Sequence, residues 1–282
     1  MKIILRKIKN IIPTLKEHGL DGLYYSILRI FGSKIRYVNY LDKRRYKLTK
    51  EMVKISNNVV MWGPYKGLKL LDYSHWFKED APMRLIGTYE LEVQEKLTEI
   101  AKDKKFDIFV NFGAADGYHL LSILKKGYVN KAIAFEKNPE GRKLLRKTSE
   151  INGVSEKLEI YETANMDYFY ENSQNLDFSK ILFLIDIEGD EFTVLDDKAM
   201  QLLSKSTLLI ENHDFLFKDK SLVDIYFENI KKYFKLEKVK YGGRNPHQIK
   251  EISHLREDDR WLMMGEGRPS DMVWLYLSPI NN

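Results

Sequence analysis

The chain is 282 residues long, which fits one globular domain of roughly 200 residues and an additional segment. Its hydrophobic content of 44% is enough for a sizeable core. It contains no cysteine, so disulfide bonds and thiolate metal sites are excluded. No stretch approaches the roughly 18 uncharged apolar residues that a membrane span requires. Charged residues interrupt the apolar N-terminus, which argues against a secretory signal. We therefore expect a cytoplasmic protein.

Positive charge is concentrated in residues 1–50, which hold 13 Lys and Arg against 3 Asp and Glu, whereas the whole chain carries +5. We predict a basic helical extension over 1–58, with helices over 13–30 and 44–55. Basic charge beside a face rich in isoleucine favours peripheral contact of residues 1–50 with the anionic inner face of a membrane. The same face could instead pack on the chain's own domain or on a second copy, which would make an oligomer. The isoleucines are Ile3, Ile4, Ile8, Ile11 and Ile12.

Residues 59–282 alternate between strand and helix patterns, which predicts an α/β domain with a Rossmann-like doubly wound sheet. A β lead-in over 59–87 precedes the alternating core over 88–215. Buried strands are predicted near 107–110, 131–135, 158–161, 183–186 and 208–211. Helices are predicted over 88–102, 139–151, 190–203 and 222–233, and a hairpin-like edge pair over 236–240 and 272–277.

The first strand ends in a glycine turn, Asn111-Phe-Gly-Ala-Ala-Asp116-Gly117, which lets the backbone approach a ligand closely. Taken alone, the turn is also compatible with an ordinary strand-to-helix connection. Glu136 ends the next strand 19 residues after Gly117, where a carboxylate can accept both ribose hydroxyls of a nucleoside. The middle glycine of a dinucleotide fingerprint is absent, and Asp116 would repel a pyrophosphate. The cationic S-adenosylmethionine is therefore favoured over a dinucleotide.

Acidic residues also follow the fourth and fifth predicted strands. Asp186 and Glu188 lie at the exit of one strand, and Glu211 and His213 at the exit of the other. Carboxylates this close repel one another unless they share a proton or a cation. The alternative is a solvated turn followed by acids that a helix N-terminus favours, which explains Glu191 well. For His213, a structural and a catalytic role remain equally open.

Together these motifs resemble the FkbM-type family of S-adenosylmethionine-dependent O-methyltransferases. The family pattern joins a D-x-G-A-x-x-G turn to strand ends of the forms F-E-P-x-P, L-D-x-E-G-x-E and E-x-H. Asn111 replaces the family's first acid, and Lys137 replaces a small or neutral residue. The corresponding residues are Asn111-Phe-Gly113-Ala114-Ala-Asp-Gly117, Phe135-Glu136-Lys-Asn-Pro139, Ile185-Asp186-Ile-Glu188-Gly189-Asp-Glu191 and Glu211-Asn-His213.

The resemblance implies a class I methyltransferase sheet and methyl transfer from S-adenosylmethionine to a hydroxyl of a sugar or glycan. Precursors of capsule, lipopolysaccharide or related surface polysaccharides are the implied acceptors. The expected cofactor-binding residues are Asn111, Gly113, Ala114, Asp116, Gly117, Glu136 and Asp186.

A sugar hydroxyl is a poor nucleophile, so a base or a metal ion should assist its attack. His213 is the best base by side-chain type, and Asp186 or Glu188 could orient it or bind the hydroxyl; these three are the expected catalytic residues. A Mg²⁺ ion held by Asp186, Glu211 and their neighbours is the alternative. The connection over 241–270 is a possible acceptor lid. The residues expected to bind the acceptor are Glu191, Glu211, Arg244, His247 and Arg268.

Two other classes of protein remain open. A pI near 8.9 and the basic extension suggest a nucleic-acid methyltransferase. Against it, the fourth strand lacks the Asp/Asn-Pro-Pro-Tyr/Phe run with which amino-methylating enzymes hold a flipped base, so we expect no nucleic-acid partner. The third class is a non-catalytic S-adenosylmethionine-binding protein, which the acids at four strand ends disfavour.

Overall fold

The computed structural model describes residues 40–71, 80–103, 106–268 and 272–280. The chain divides into two compact units, residues 1–44 and 45–282. The first unit is described only from residue 40 onward. The predicted helix over 13–30 and the face rich in isoleucine therefore lie outside the described residues.

The predicted basic helix over 44–55 is present as α1 (Tyr40–Ser56). Its Leu48 and Met52 are buried in the core of the second unit. The domain boundary predicted at residue 58 therefore falls inside that unit rather than at its edge.

Seven strands form one sheet in the order β3-β2-β1-β4-β5-β7-β6. The first five strands are parallel to one another, whereas β7 runs antiparallel to both β5 and β6. This is a Rossmann-like α/β sheet, as the sequence predicts, with the predicted edge pair formed by β6 and β7. The strands are β1 (Ile108–Phe112), β2 (Lys131–Phe135), β3 (Leu158–Tyr161), β4 (Ile181–Ile185), β5 (Thr207–Glu211), β6 (Phe234–Lys240) and β7 (Val273–Pro279).

Helices cover both faces of the sheet, so the central strands are buried on both sides. Side chains of β4 alternate between two core clusters: Leu184 belongs to one, and Phe183 and Ile185 belong to the other. Helices α1 to α5 and α10 contribute to the first cluster, and α6 to α9 to the second. The remaining helices are α2 (Ala81–Ile86), α3 (Leu91–Asp103), α4 (Tyr118–Lys125), α5 (Pro139–Ile151), α6 (Asp167–Glu171), α7 (Glu191–Val194), α8 (Asp197–Leu202), α9 (Ser221–Tyr233) and α10 (Glu257–Met264).

Three predicted segments differ from the structure. In the described residues 59–71 and 80–87, the predicted β lead-in has an antiparallel bridge between Val59 and Lys69, followed by α2. The single helix predicted over 190–203 is two helices, because Asp196 accepts a hydrogen bond from Ala199 N at 2.8 Å and so caps a new helix.

The predicted lid over 241–270 is also not an open loop. It contains α10, and Ile249, Ile252 and Met263 are buried in the first core cluster. This connection is therefore a packed part of the domain. Within the described ranges, no helix has the length and apolarity that a membrane span requires.

Candidate active site

The glycine turn after β1 packs tightly against neighbouring strand ends. Gly113 has φ of 79° and Gly117 has φ of 86°, in the left-handed region that favours glycine. A Cβ on Gly113 would overlap the backbone carbonyl of Asp186, and one on Gly117 would overlap the Leu145 side chain. The turn is held to β2 by Gly113 N, which donates to Phe135 O at 2.9 Å. These contacts bring the turn and the end of β4 together.

Glu136, at the end of β2, is fixed by two backbone donors. Its Oε2 accepts from Ala115 N at 2.7 Å, and its Oε1 accepts from Asn138 N at 2.7 Å. A carboxylate oxygen has two lone pairs, so each oxygen can still accept a second hydrogen bond. Glu136 also lines a cavity of about 500 Å³ at the carboxyl ends of β1, β2 and β4. Its carboxylate is thus preorganised to accept from a ligand.

Six of the seven residues expected to bind the cofactor line this cavity, which we call the first cavity. The exception is Gly117, which lies at the start of α4 against Leu145 and Leu121 and shapes the turn rather than the cavity wall. Trp274, Thr163 and Ala164 also contribute to the wall, although no sequence motif identifies them. The six residues are Asn111, Gly113, Ala114, Asp116, Glu136 and Asp186.

Two polar residues of the turn already have protein partners. Asn111 is buried, and its Nδ2 donates to Phe112 O at 3.2 Å and to Leu184 O at 3.3 Å, which ties β1 to β4. Asp116 accepts from the buried Arg84 at 2.5 Å. Arg84 also lies over the ring of Tyr118, 4.6 Å from its centroid. The charge of Asp116 is therefore paired, and Arg84 is a cation at the cavity wall that the sequence prediction missed.

A second cavity of about 290 Å³ adjoins the first. Tyr89, Glu90, Asp186 and Glu188 contribute to the walls of both cavities. The second cavity is strongly acidic: six carboxylates face two basic side chains across its described wall. The acids are Asp80, Glu90, Asp186, Glu188, Glu211 and Glu266, and the basic side chains are His213 and Arg268.

His213 is held rigidly beneath the second cavity, with its side chain 4% exposed. Its Nδ1 lies 2.9 Å from Glu191 Oε1, which also accepts from the backbone N of His213 at 3.3 Å. Its Nε2 lies 3.8 Å from Asp186 Oδ1, 3.8 Å from Glu188 Oε2 and 3.7 Å from Glu211 Oε2. Glu191 is therefore the residue that orients His213.

The carboxylates around His213 shift the pKa values of this group. Burial lowers the pKa of His213, but the hydrogen bond and charge of Glu191, with Glu211 and Glu188, outweigh burial and raise it. Burial, followed by the charges of Glu211 and Glu90, raises the pKa of Asp186 well above its usual value. This end of the sheet therefore favours a bound proton or another cation among its acids.

Three residues expected to bind the acceptor do not reach the second cavity. Glu191 is 1% exposed, and its other oxygen accepts from Gly189 N at 2.9 Å, so both oxygens are occupied inside the protein. His247 is 56% exposed at the side chain, 3.7 Å from Glu257, and lines neither cavity.

Arg244 is the third residue. It is buried, donates to Thr88 O at 3.0 Å and to Glu266 at 2.8 Å, and pairs with Glu92. It therefore anchors the connection after β6 to α3, and its donors are used inside the protein. Glu191, His247 and Arg244 therefore do not line the second cavity, and this geometry does not support the acceptor-binding role that the sequence predicts for them.

Arg268 and Glu211 line the second cavity, and their binding of an acceptor stays a prediction. Arg268 donates to Glu211 at 3.3 Å and to Glu266 at 2.8 Å, and it pairs closely with Glu90. The arginine is therefore shared among three carboxylates and compensates only part of the acidic charge.

Glu90 is a second residue that the sequence prediction missed. It has φ of 46° and lies between His119, whose Nε2 is 2.9 Å away, and Arg268. His119 in turn contacts Tyr65 through Nδ1 at 3.0 Å. Burial raises the pKa of Glu90, but the hydrogen bond and charge of His119, with Arg268, outweigh it and lower the pKa to about 2.

Comparison with known proteins adds a fold-level similarity. No protein-family model matches the chain, and no curated protein matches it in sequence. An O-methyltransferase from Bacillus cereus in complex with SAH is 11% identical and covers 83% of this chain and 90% of that chain, with a TM-score of 0.44. An rRNA methylase from Streptococcus thermophilus is 12% identical over 67% of this chain and 97% of that chain, with a TM-score of 0.45. A precorrin 8w decarboxylase from Methanobacterium thermoautotrophicum is 13% identical over 67% and 90%, with a TM-score of 0.43. At these identities and TM-scores, the similarity assigns no activity to this chain.

Proposed function

We propose that the chain is an S-adenosylmethionine-dependent O-methyltransferase that acts on a hydroxyl of a sugar or glycan. The observation that carries this proposal is the pair of adjoining cavities at the carboxyl ends of the parallel strands, with Asp186 in the walls of both. One cavity has the volume and the ribose-binding carboxylate that a nucleoside requires. The other has room for part of an acceptor.

The cofactor would lie in the first cavity with its ribose hydroxyls on Glu136. Both oxygens of Glu136 keep acceptor capacity, and Gly113 and Ala114 leave backbone close to the ligand. The paired charges of Arg84 and Asp116 suit the carboxylate and ammonium of the methionine moiety. The sulfonium would lie near Asp186, which faces both cavities.

The reaction would be an in-line displacement at the methyl carbon. The acceptor oxygen forms a bond to the methyl group while the bond from methyl carbon to sulfur breaks, and its electron pair stays on sulfur as a neutral thioether. Catalysis is then mainly a matter of holding oxygen, carbon and sulfur in line. The hydroxyl proton passes to the group formed by His213, Asp186 and Glu188. Within that group Glu188 is 87% exposed at the side chain, so it can pass the proton on to water.

The acidic second cavity favours a neutral, hydroxyl-bearing acceptor. Six carboxylates against His213 and Arg268 would repel a phosphate or a polyanionic backbone, because nucleic-acid binding depends on unpaired positive charge at the site. The exposed Phe215 beside the cavity offers an aromatic face for a sugar ring. This charge pattern favours a sugar over a nucleic acid, and a non-catalytic binding protein would not require the second cavity.

The experiment that tests this function compares surface glycans from a deletion strain with those of the same strain carrying the wild-type chain or the Glu136→Ala variant. Mass spectrometry should find a methylated sugar only with the wild-type chain. Identical glycan methylation in all three strains would contradict a glycan acceptor. Methylation of RNA that depends on the chain would favour the nucleic-acid alternative instead.

A further inference from the structure

We propose that Asp186, Glu211 and His213 bind a divalent transition-metal ion, of the Mn²⁺ or Zn²⁺ class, at the junction of the two cavities. The role of the ion in catalysis rests on the proposed function, whereas its binding does not. One ligand atom from each residue can be chosen so that all three lie within 4.8 Å of one another. The sequence alone gave Mg²⁺ at Asp186, Glu211 and their neighbours as an alternative and assigned no ligand role to His213.

The distances around His213 Nε2 are those of ligands around a common ion. Asp186 Oδ1 and Glu211 Oε2 lie 3.8 and 3.7 Å from Nε2, too far for hydrogen bonds. Two ligands on one ion are separated by at most about 4.4 Å, since each metal–ligand bond is roughly 2.0–2.2 Å. An ion between these atoms therefore requires only small side-chain movements.

Two of the proposed ligand residues, His213 and Asp186, present polar atoms into this group, whereas Glu211 also accepts from Arg268 at 3.3 Å. The His213 side chain is 96% buried, and the hydrogen bond found for its ring is the one from Nδ1 to Glu191. Asp186 Oδ1 is a buried atom with no hydrogen-bond partner among the described residues. A buried polar atom normally has a partner, so Asp186 Oδ1 points to a ligand between it and His213 Nε2, 3.8 Å away.

Glu191 provides the support that metal-binding histidines need. Such histidines almost always donate their second ring N–H to a carboxylate or carbonyl, which fixes the ring and leaves the other nitrogen for the metal. Glu191 is the carboxylate that accepts from His213 Nδ1; it is 1% exposed, and its second oxygen accepts from Gly189 N at 2.9 Å. This arrangement turns Nε2 toward Asp186 and Glu211.

The donor set selects the kind of ion. One imidazole nitrogen with two carboxylates suits Mn²⁺, Fe²⁺ or Zn²⁺, whereas Mg²⁺ and Ca²⁺ prefer oxygen donors alone. The two carboxylates and the neutral imidazole would leave coordination positions open toward the second cavity. The ion would make an acceptor hydroxyl more acidic. With His213 and Asp186 engaged by the ion, Glu188 is the member of the proton-accepting group that would take the hydroxyl proton.

The experiment measures ion binding directly and without turnover. Full-length protein is treated with a chelator and dialysed, and Mn²⁺ is then added while the signal of the free ion is followed by electron paramagnetic resonance. We expect one Mn²⁺ per chain for the wild type. His213→Ala and Asp186→Asn should each weaken binding by more than about 100-fold, and Glu191→Gln by roughly 10- to 100-fold. His247→Ala is the matched control, because that histidine is exposed and outside both cavities, and it should bind like the wild type.

A thermal melt identifies folded variants, and calorimetric titration of S-adenosylmethionine into the same samples measures the cofactor site separately. No Mn²⁺ or Zn²⁺ binding by the folded wild type would overturn the metal site but leave the cofactor site standing. Wild-type Mn²⁺ affinity in folded His213→Ala or Asp186→Asn would overturn it as well. Mn²⁺ binding without any S-adenosylmethionine binding would instead contradict the proposed function and leave the metal site.

Discussion

Gly113 and Glu136 carry most of the geometry of the first cavity at the scale of single residues. Gly113 allows the β1 turn to approach the end of β4, and Glu136 links that turn to the start of α5 through two backbone hydrogen bonds. The turn and the carboxylate support each other, because Ala115 N is one of the two donors. A change at either residue should therefore affect the cavity before it affects the rest of the sheet.

Gly113→Ala should lower the free energy of unfolding by at least about 3 kcal/mol, since the new Cβ overlaps the Asp186 carbonyl and the φ of 79° is strained for alanine. Gly153→Ala is the matched control, because Gly153 has φ of 69° with nothing within 4 Å of its Cβ position. It should cost about 1 kcal/mol. Urea unfolding of both variants measures the difference. Equal losses would show that backbone strain alone, and not the contact with β4, makes Gly113 necessary.

Glu90 should make stability depend on pH in the acid range. Its pKa is lowered to about 2 in the folded protein, from 4.5, by His119 and Arg268 despite burial. The stabilisation by its charge is therefore complete above about pH 4.5 and is lost as the pH falls from there toward 2. The wild type should lose about 3 kcal/mol more than Glu90→Gln over that range. Urea unfolding at pH 7, 5, 4 and 3 follows this loss, and parallel curves for the two proteins would contradict it.

At the scale of elements, the connection after β6 is fixed by one buried arginine. Arg244 bonds to Thr88 and Glu92 near α3 and to Glu266 beyond α10. Removing one partner of a buried ion pair leaves uncompensated charge, which is costly. The connection is thus part of the folded core and also carries Arg268 to the second cavity.

Arg244→Met should destabilise the protein by roughly 3–5 kcal/mol because Glu92 loses its buried cation and Glu266 keeps only Arg268. Arg256→Met is the matched control: that side chain is 81% exposed and should change stability by less than about 0.5 kcal/mol. Thermal melts and urea unfolding compare the two. A fully stable Arg244→Met variant with weaker acceptor binding would restore the sequence-based role of Arg244 at the acceptor.

The elements that the sequence predicts well are those with a long local signal. The five parallel strands are short apolar runs, and the glycine turn and acidic motifs lie at their ends. The type and the position of each strand therefore follow from residues that are close together in the sequence. The helix over 190–203 is predicted less well because Asp196 restarts it. The sequence predicts Glu191 and Arg244 to lie near the site. Only the tertiary structure shows that their side chains are bonded to buried partners inside the protein. Glu90 and His119 carry no motif, since they meet from separate elements.

At the scale of the whole molecule, charge is distributed unevenly along the chain. Residues 1–50 hold 13 basic and 3 acidic residues, whereas the second cavity concentrates six carboxylates. We propose that the basic segment contacts an anionic membrane surface, while the cavities bind cofactor and acceptor. Such a division would hold the enzyme near a membrane-linked glycan precursor.

Deleting residues 1–12 should reduce cosedimentation with vesicles that contain anionic phosphatidylserine, most clearly at low salt, because electrostatic attraction is screened as salt rises. Affinity for S-adenosylmethionine should stay unchanged. Vesicles of neutral phosphatidylcholine are the control and should bind neither protein. Equal sedimentation of the full-length and shortened chains with anionic vesicles would favour packing of the segment on its own domain or on a second copy.

The most direct test of the central claim is a calorimetric titration of S-adenosylmethionine into the purified chain. The wild type should bind one molecule per chain, and Glu136→Ala should bind about 100-fold more weakly, because two charge-assisted hydrogen bonds to the ribose contribute about 3 kcal/mol. Glu140→Ala, an exposed acid on α5 that lines neither cavity, should bind like the wild type. Absence of binding to the folded wild type, or full affinity in folded Glu136→Ala, would contradict the cofactor site.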